Sequence, residues 1–285
     1  MMPVINAHTH LIEIEKALSS GSPDLMQSLA AIPTFSNVEA VKEMVSLETL
    51  LAQMKRANVD KSVLYGMYAP ILYSSNEYIA GICKQYPDHF IGFASVDLNS
   101  DNPAKMLEKA VIDLGLKGLK LHPPLQDFHP LEDKMWPVYE KAAALGIPVV
   151  FHVGSTPFGH LLKLANANPL VIDDIANRLP HLKIMLTHLG TLWHNEAFMV
   201  VEKHPNLYID TAAYPYEIIE IMSENHIRRI GEDKFIFGTD YPMPYEGKLH
   251  ELKDFVDTIQ MLAISDELKE KIFYRNFEKM MAPGI

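Results

Sequence analysis

Short, uninterrupted apolar runs recur along this chain, spaced so that a helix fits between one and the next. They begin near Val4, Ser62, Phe90, Leu116, Pro148, Lys183, Leu207 and Phe235, and each is closed by polar or turn residues. Continuous runs, as opposed to alternating ones, mark strands buried on both faces. Between the runs the period changes. Leu47, Leu50, Leu51, Met54 and Ala57 recur at three and four residues ahead of the second run, as do Met106, Leu107, Ala110, Val111 and Leu114 ahead of the fourth. Trp136, Val138, Tyr139, Ala142, Ala143 and Leu145 lead to Gly146, a helix stop, ahead of the fifth. Eight βα units predict an α/β fold closed as a (β/α)8 TIM barrel, one domain over residues 1–285. The competing open, doubly wound sheet would place a glycine-rich phosphate loop after its first strand, and His8-Thr9-His10 is nothing like one.

Two stretches break the repeat. Residues 11–46 separate the first strand from its helix by far more than a usual loop. With Ser19-Ser20-Gly21-Ser22-Pro23 and an amphipathic piece around Val38, Val41, Met44 and Val45, they are expected to form a lid over the barrel mouth. The tail from Ser265 onward reads as an extra C-terminal helix packed on the outside.

The strands end on polar residues. The first runs into His8 and His10, the fourth into Lys120 and His122, the fifth into His152, the sixth into His188 and the eighth into Asp240. In a parallel barrel those ends converge on one face, where such folds carry their chemistry. Side chains alternate along a strand, so His8 and His10 share a facing, as do Lys120 and His122. A histidine pair two residues apart is weak evidence alone. Joined at one barrel face by further imidazoles and a carboxylate, it is a donor set for a divalent cation.

Composition narrows the field. The formal net charge is −11, which repels a nucleic-acid backbone, so no DNA or RNA partner is expected. Cys83 is the only cysteine, which leaves no intrachain disulfide and no zinc–thiolate site, and it reads as a small buried hydrophobe on a helix. No apolar run reaches the roughly 18 residues of a membrane span. A cytoplasmic enzyme acting on a small molecule, with no membrane partner, is the expected class, and assembly into a homo-oligomer stays open. Of the thirteen histidines, His89, His181, His204 and His226 read as surface residues.

The motifs resemble a known family. His8-Thr9-His10, Lys120-Leu121-His122-Pro123, His152-Val153-Gly154, His188-Leu189-Gly190 and Gly238-Thr239-Asp240-Tyr241-Pro242 are similar to the amidohydrolase superfamily. The closer match is to its amidohydrolase-related (amidohydrolase 2) branch, which also holds the aminocarboxymuconate-semialdehyde decarboxylase type. The resemblance covers nearly the whole chain, to Asn276-Phe277. It implies His8, His10, His152 and Asp240 as ligands of one divalent metal, with zinc the expected ion. It implies Asp240, His188 and Lys120 as the catalytic residues. Asp240 would take a proton from the metal's water, and His188 would bind a second metal or hydrogen-bond the substrate. In binuclear members a carboxylated lysine at the place of Lys120 bridges two ions. In the single-metal branch Lys120 would be an uncarboxylated cation that binds substrate or pairs with Asp240. His122 either lines the pocket or packs before Pro123-Pro124, and Trp193, His194, His129, His160, Tyr214 and Tyr241 are weaker candidates for the mouth.

The branch holds both hydrolases and non-oxidative decarboxylases. A decarboxylase needs a grip on its substrate carboxylate, which arginine supplies as a fork. The five arginines, Arg56, Arg178, Arg228, Arg229 and Arg275, fall on helices or their ends, away from the strand C-termini. The expected activity is therefore hydrolysis of a lactone, ester or amide by a metal-bound hydroxide. The alternatives are decarboxylation of a small aromatic or enoic acid at the same metal site, and a catalytically silent barrel that binds a metal or metabolite.

Overall fold

The computed structural model describes residues 2–20, 27, 42–70, 72–156, 162–245 and 248–283. Eight strands carry it: β1 (Ile5–Thr9), β2 (Lys61–Tyr65), β3 (Phe90–Phe93), β4 (Leu119–Leu121), β5 (Val149–Phe151), β6 (Ile184–Leu186), β7 (Leu207–Asp210) and β8 (Phe235–Ile236). β1, β2 and β3 pair in parallel as one sheet, and β4 to β8 as another. The sheets meet at two seams, where single parallel bridges join Ala94 to Leu119 and Thr9 to Tyr241. There Lys120 N donates to Ala94 O and His10 N to Tyr241 O, each at 2.7 Å. Spatial order thus follows chain order and returns from β8 to β1. The fold is a (β/α)8 barrel.

The helices are α1 (Ile14–Ser20), α2 (Leu47–Ala57), α3 (Asn76–Gln85), α4 (Pro103–Ile112), α5 (Trp136–Ala144), α6 (Val171–Arg178), α7 (His194–Lys203), α8 (Pro215–Ile221), α9 (Glu224–Ile230), α10 (Leu252–Met261), α11 (Asp266–Glu270) and α12 (Asn276–Met281). Local chemistry sets several of their ends. Ser46 Oγ accepts from Thr49 N to start α2, and Asn58 ends it with φ of 52°. Asn102 Oδ1 accepts from Lys105 N, with Pro103 in the first turn of α4. Gly146, at φ of 65°, follows α5 as the turn that only a residue without Cβ adopts freely.

Three apolar clusters result among the described residues, the smallest of them Met67, Ala69 and Leu125. A large outer one lies between strands and helices, and includes Leu50, Met54, Leu107, Val138, Ile175 and Ile259. A smaller one fills the barrel: Ile5, Ala7, Val63, Tyr65, Phe93, Val150, Met185, Tyr208 and Ile236, one or two from each strand except β4. Phe277 and Met280 of α12 belong to this inner core. The C-terminal segment is therefore more than an outer layer. Leu268, Ile272 and Phe273 join the outer core, and α12 reaches into the barrel's filling. The end of β8 is tied to the same segment, since Asn276 Nδ2 donates to Phe235 O at 2.8 Å and Phe237 N to Ile272 O at 2.8 Å.

The start of the excursion after β1 is anchored. Glu13 accepts from Ser75 N at 2.7 Å and from Ser75 Oγ at 2.6 Å, beside a hairpin of Met67–Tyr68 with Tyr73–Ser74. Most of the expected lid, including Val38 and Val41, lies outside the described residues; Val45 is buried, and Met44 O accepts from Tyr241 Oη at 2.8 Å. His89, His181 and His226 are exposed, but His204 is not. Its ring is buried after α7 and lies 2.5 Å from Asp173 Oδ1 of α6, a partner that sequence position does not disclose. Cys83 packs half-buried on α3, where burial pushes its thiol up to about 11. Among the described residues no helix is long and apolar enough to cross a membrane.

Phe277 is 2% exposed. Phe277→Ala should cost about 3–5 kcal/mol, the usual range for an emptied aromatic core site, read as a lower urea midpoint. Lys279→Ala, two residues along the same helix on a half-exposed pair with Asp233, should change stability by less than about 1 kcal/mol.

Candidate metal centre

The histidine pair reaches the barrel interior through an irregularity in β1. Ile5 pairs with Lys61 and Asn6 with Ser62, but Thr9 pairs with Leu64, so β1 spends one more residue than β2 over this stretch. Ile5 and Ala7 already face the inner core. Strict alternation from them would send His8 and His10 to the outer face; the extra residue turns them inward. Asn6 fastens the bulge. Its Oδ1 accepts from His8 N at 3.2 Å, and its Nδ2 contacts Thr9 Oγ1 and Thr239 Oγ1, each at 2.9 Å. The alternation rule holds for the pair itself, but the facing of the pair comes from the bulge.

At the opposite side of the β8–β1 seam the chain turns sharply, and Asp240 sits at φ of 51°. Its Oδ1 lies 3.1 Å from His8 Nε2 and 3.3 Å from His10 Nε2, and the two nitrogens are 3.3 Å apart. Ligand arms of ~2.0–2.1 Å around a four-coordinate ion set neighbouring donor atoms about 3.3 Å apart, so this triangle has the size of one face of such a shell. Two imidazole nitrogens and a carboxylate oxygen, all able to present lone pairs, converge with no apolar atom to separate them. This donor set fits a divalent cation.

The other expected residues surround that triangle. Lys120, fully buried, takes the inward position of β4 opposite Val150. Its Nζ is 3.4 Å from His8 Nε2 and 4.9 Å from the centre of the Tyr65 ring. His188 follows β6 at φ of 62°, with its ring 4.9 Å from that of His8. His152 is one imidazole further out, its Nδ1 3.0 Å from His188 Nε2 and its Nε2 buried without a partner. His152 belongs to neither of the tight groups of potential ligand atoms among the described residues, which are His8, His10, Asp240 and His8, His188, Asp210. His122 stacks on His152 at 3.8 Å and accepts at Nδ1 from Leu125 N, so it belongs to the site and not merely to the turn.

Burial and charge set the ionisation. Burial lowers His10 to about 4 against the pull of Asp240, and lowers Lys120 to about 8 against Asp210 and Asp240. Burial also lowers His188, and with help from neighbouring cations holds His122 and His152 well below the ordinary imidazole value. For Asp240 burial works upward, but the neighbouring His8 and His188 and the close contacts of His10 and His8 outweigh it and hold the carboxyl well below its ordinary value. Burial thus favours the neutral form of His10, His122, His152 and His188 beside an anionic oxygen, the states in which these groups ligate a metal.

A further residue belongs here that strand-end reading passed over. Asp210 ends β7, is fully buried, and contacts His8 Nδ1 at 2.7 Å. The signal was present, since Leu207-Tyr208-Ile209-Asp210 is another apolar run closing on a polar residue. Gly238 lets this contact form: a Cβ there would lie 3.1 Å from His8 Cβ and 3.3 Å from Asp210 Cβ.

Above the triangle the described residues enclose a cavity of about 160 Å³, lined by His152, His188 and Asp240 and by Ser155, Thr191 and Glu217, among others. Of the weaker candidates, Tyr214 lines it as well. Tyr241 is buried with its hydroxyl on Met44 O, and His129 accepts from Leu131 N away from the cavity. Trp193 and His194 open α7 and are not among its lining residues, and His160 lies outside the described residues.

A family model described as amidohydrolase matches residues 5–280. The chain belongs to the amidohydrolase family. Solved structures of the same fold include an uncharacterised TIM-barrel protein of Bordetella bronchiseptica, 24% identical, with 98% of each chain covered and a TM-score of 0.75. A 5-carboxyvanillate decarboxylase of Novosphingobium aromaticivorans, complexed with manganese and a nitrobenzoic acid, is 20% identical over 98% of this chain and 96% of its own, with a TM-score of 0.74. A probable 2-pyrone-4,6-dicarboxylic acid hydrolase of Acinetobacter baumannii, with citric acid bound, is 15% identical over 98% and 99%, with a TM-score of 0.70. At these identities the likeness speaks for the fold. The family consists of enzymes, decarboxylases and hydrolases among them.

If the triangle holds the metal, the double variant His8→Ala with His10→Ala should copurify with none. Elemental analysis of the folded variant checks this, and unchanged stoichiometry would remove both residues as ligands.

Proposed function

We propose that the protein is a metal-dependent hydrolase of a small carbonyl compound, a lactone, ester or amide. The reading rests on one combination: Asp240, held ionised, faces a cavity into which none of the five arginines reaches. All five are engaged on outer helices. Arg56 meets Glu251, Arg178 lies 3.9 Å over the Trp136 ring, Arg228 and Arg229 meet Glu224 and Glu202, and Arg275 meets Glu270. Among the described lining residues the wall carries hydroxyls, imidazoles and the carboxylate of Glu217, which repels an anionic substrate group. A neutral carbonyl compound suits such a wall better than an aromatic acid.

His8, His10 and Asp240 would hold the cation, and His152, which stands outside their triangle, would join them as fourth ligand by a shift of its ring. Zinc or manganese suits these donors equally. A bound divalent ion supplies the charge that polarises a carbonyl oxygen and acidifies a water. Asp240 accepts the water's proton at Oδ2, since Oδ1 faces His8 and His10, and returns it to the leaving group. Lys120, beneath the triangle, adds positive charge at the side of His8. His188 has a narrower part than a general donor. Its Nδ1 is 2.8 Å from the Ala212 carbonyl, which can only accept, so the neutral ring offers a lone pair at Nε2 and donates to an oxyanion only as imidazolium. The 3.0 Å approach of that Nε2 to His152 Nδ1 accommodates a hydrogen bond or two ligands of a second ion. Metal stoichiometry, one ion or two per chain, separates these, and two would bring in a carboxylated Lys120 as the bridge.

Decarboxylation is the second reading, favoured by the names of several proteins that share the fold. Matched panels of lactones, esters and amides against aromatic and enoic acids, run in oxygen-18 water, decide between them. Label in the product without carbon dioxide supports hydrolysis; carbon dioxide without label overturns it. Asp240→Asn should lower kcat by about 10²-fold or more with little change in KM, because an amide can approach a metal but cannot take the proton. A variant with raised KM and near-normal kcat would leave Asp240 as a binding residue only.

A further inference from the structure

Asp210 touches three donors. Its Oδ2 is 2.7 Å from His8 Nδ1, and its Oδ1 accepts from His188 N at 2.7 Å and Ala212 N at 3.1 Å. A backbone N–H can only donate, so Oδ1 is fully claimed and Oδ2 is left for the ring of His8. An ionised carboxylate can only accept, so His8 carries its proton on Nδ1 and, when neutral, a lone pair on Nε2. On its other side His8 Nε2 faces Lys120 Nζ at 3.4 Å, which can only donate, and Asp240 Oδ1 at 3.1 Å, which can only accept, so the shorter 2.7 Å contact with Asp210 claims the single proton of the neutral ring.

The same carboxylate reaches His188 indirectly. Ala212, held through its N–H by Asp210, presents its carbonyl to His188 Nδ1 at 2.8 Å. The carbonyl demands the proton on Nδ1 and again leaves the lone pair on Nε2. His188 adopts a left-handed φ of 62°, a conformation that costs a non-glycine residue about 1 kcal/mol, and its own N–H on Asp210 helps to hold it there.

We propose that Asp210 is a positioning residue that locks the tautomers of His8 and His188, so that His8 turns its Nε2 lone pair toward the metal position, and His188 its own toward His152 Nδ1, before any ion arrives. Asp210 spends three contacts on protein donors and so acts on the metal position through His8, although it lies within ligand distance of both rings. The tautomers stand independently of the hydrolase reading; only the consequence for metal affinity rests on the metal-centre assignment.

Asp210→Asn tests this with almost no change of shape. The two backbone N–H groups claim the amide oxygen, because the amide nitrogen in that place would set donors against donors in a buried pocket. The NH2 group then faces His8 Nδ1, which must become the acceptor, and the proton moves to Nε2, where it blocks a metal. Imidazole 15N spectra of the metal-free protein, recorded at rising pH until the shifts report neutral rings, would read this directly, with assignments from His8→Gln and His188→Gln. The expected wild-type pattern is Nδ1–H on both rings. In Asp210→Asn, His8 should switch to Nε2–H while His188 keeps its pattern, and zinc or manganese affinity should fall about 10–100-fold. A wild-type His8 with its proton on Nε2 would overturn the proposal, and that measurement needs no variant to fold. So would a variant that loses affinity with the His8 tautomer unchanged, which would make Asp210 only a source of charge.

Discussion

The site depends on a group of ionisable side chains that never reach water. Lys120, His8 and Asp210 are fully buried where the barrel would otherwise be packed with Val or Leu. An isolated buried charge costs several kcal/mol, so each must be compensated by the others. The compensation is visible in geometry: Lys120 against His8, His8 against Asp210, and Asp240 against His8 and His10. A cation placed among these groups would complete a balance that already leans toward it, since the carboxylates of Asp210 and Asp240 meet one lysine and burial favours the neutral form of His10.

That arrangement explains why the barrel is built asymmetrically along its axis. Near the strand starts the interior is apolar, with Ile5, Val63, Met185 and Ile236 joined by Phe277 and Met280 of α12. Toward the strand ends the same inward positions pass to Lys120, His152 and Asp210. The apolar half supplies the burial that stabilises the fold, and the polar half makes that burial harder. A helix that adds apolar side chains to the inner core is a physical answer to a barrel whose other half is committed to chemistry.

Much of this was legible in the chain and some was not. The eight apolar runs located all eight strands within a few residues, because strands buried on both faces leave an unbroken signal. His8, His10 and Asp240 were legible as a group because each closes such a run. Three features were not. The β1 bulge depends on pairing with β2, and Ala7-His8 shows nothing unusual in sequence. The inward path of α12 depends on where a barrel has space, which a periodic pattern of Phe273, Phe277 and Met280 cannot state. Asp210 obeyed the strand-end rule, yet a carboxylate facing backbone donors serves a different purpose from one facing solvent, and only coordinates separate them.

The backbone around the site carries the same message as its charges. His188, Leu189 and Asp240 all take positive φ without being glycine. Such positions persist only where surrounding contacts hold them. For His188 the holding contact is Asp210 through a backbone hydrogen bond, and for Asp240 it is the pair of imidazoles in front of its carboxylate. Orientation and strain are therefore borne by the same groups. The cluster is rigid for that reason: a shift of Asp210 would release the ring of His8, the backbone of His188 and the carbonyl of Ala212 together. A site so constructed has its donors aimed before a ligand arrives. The cavity wall at Ser155 and Glu217 lies outside that cluster, so a change there leaves the donors aimed as they are.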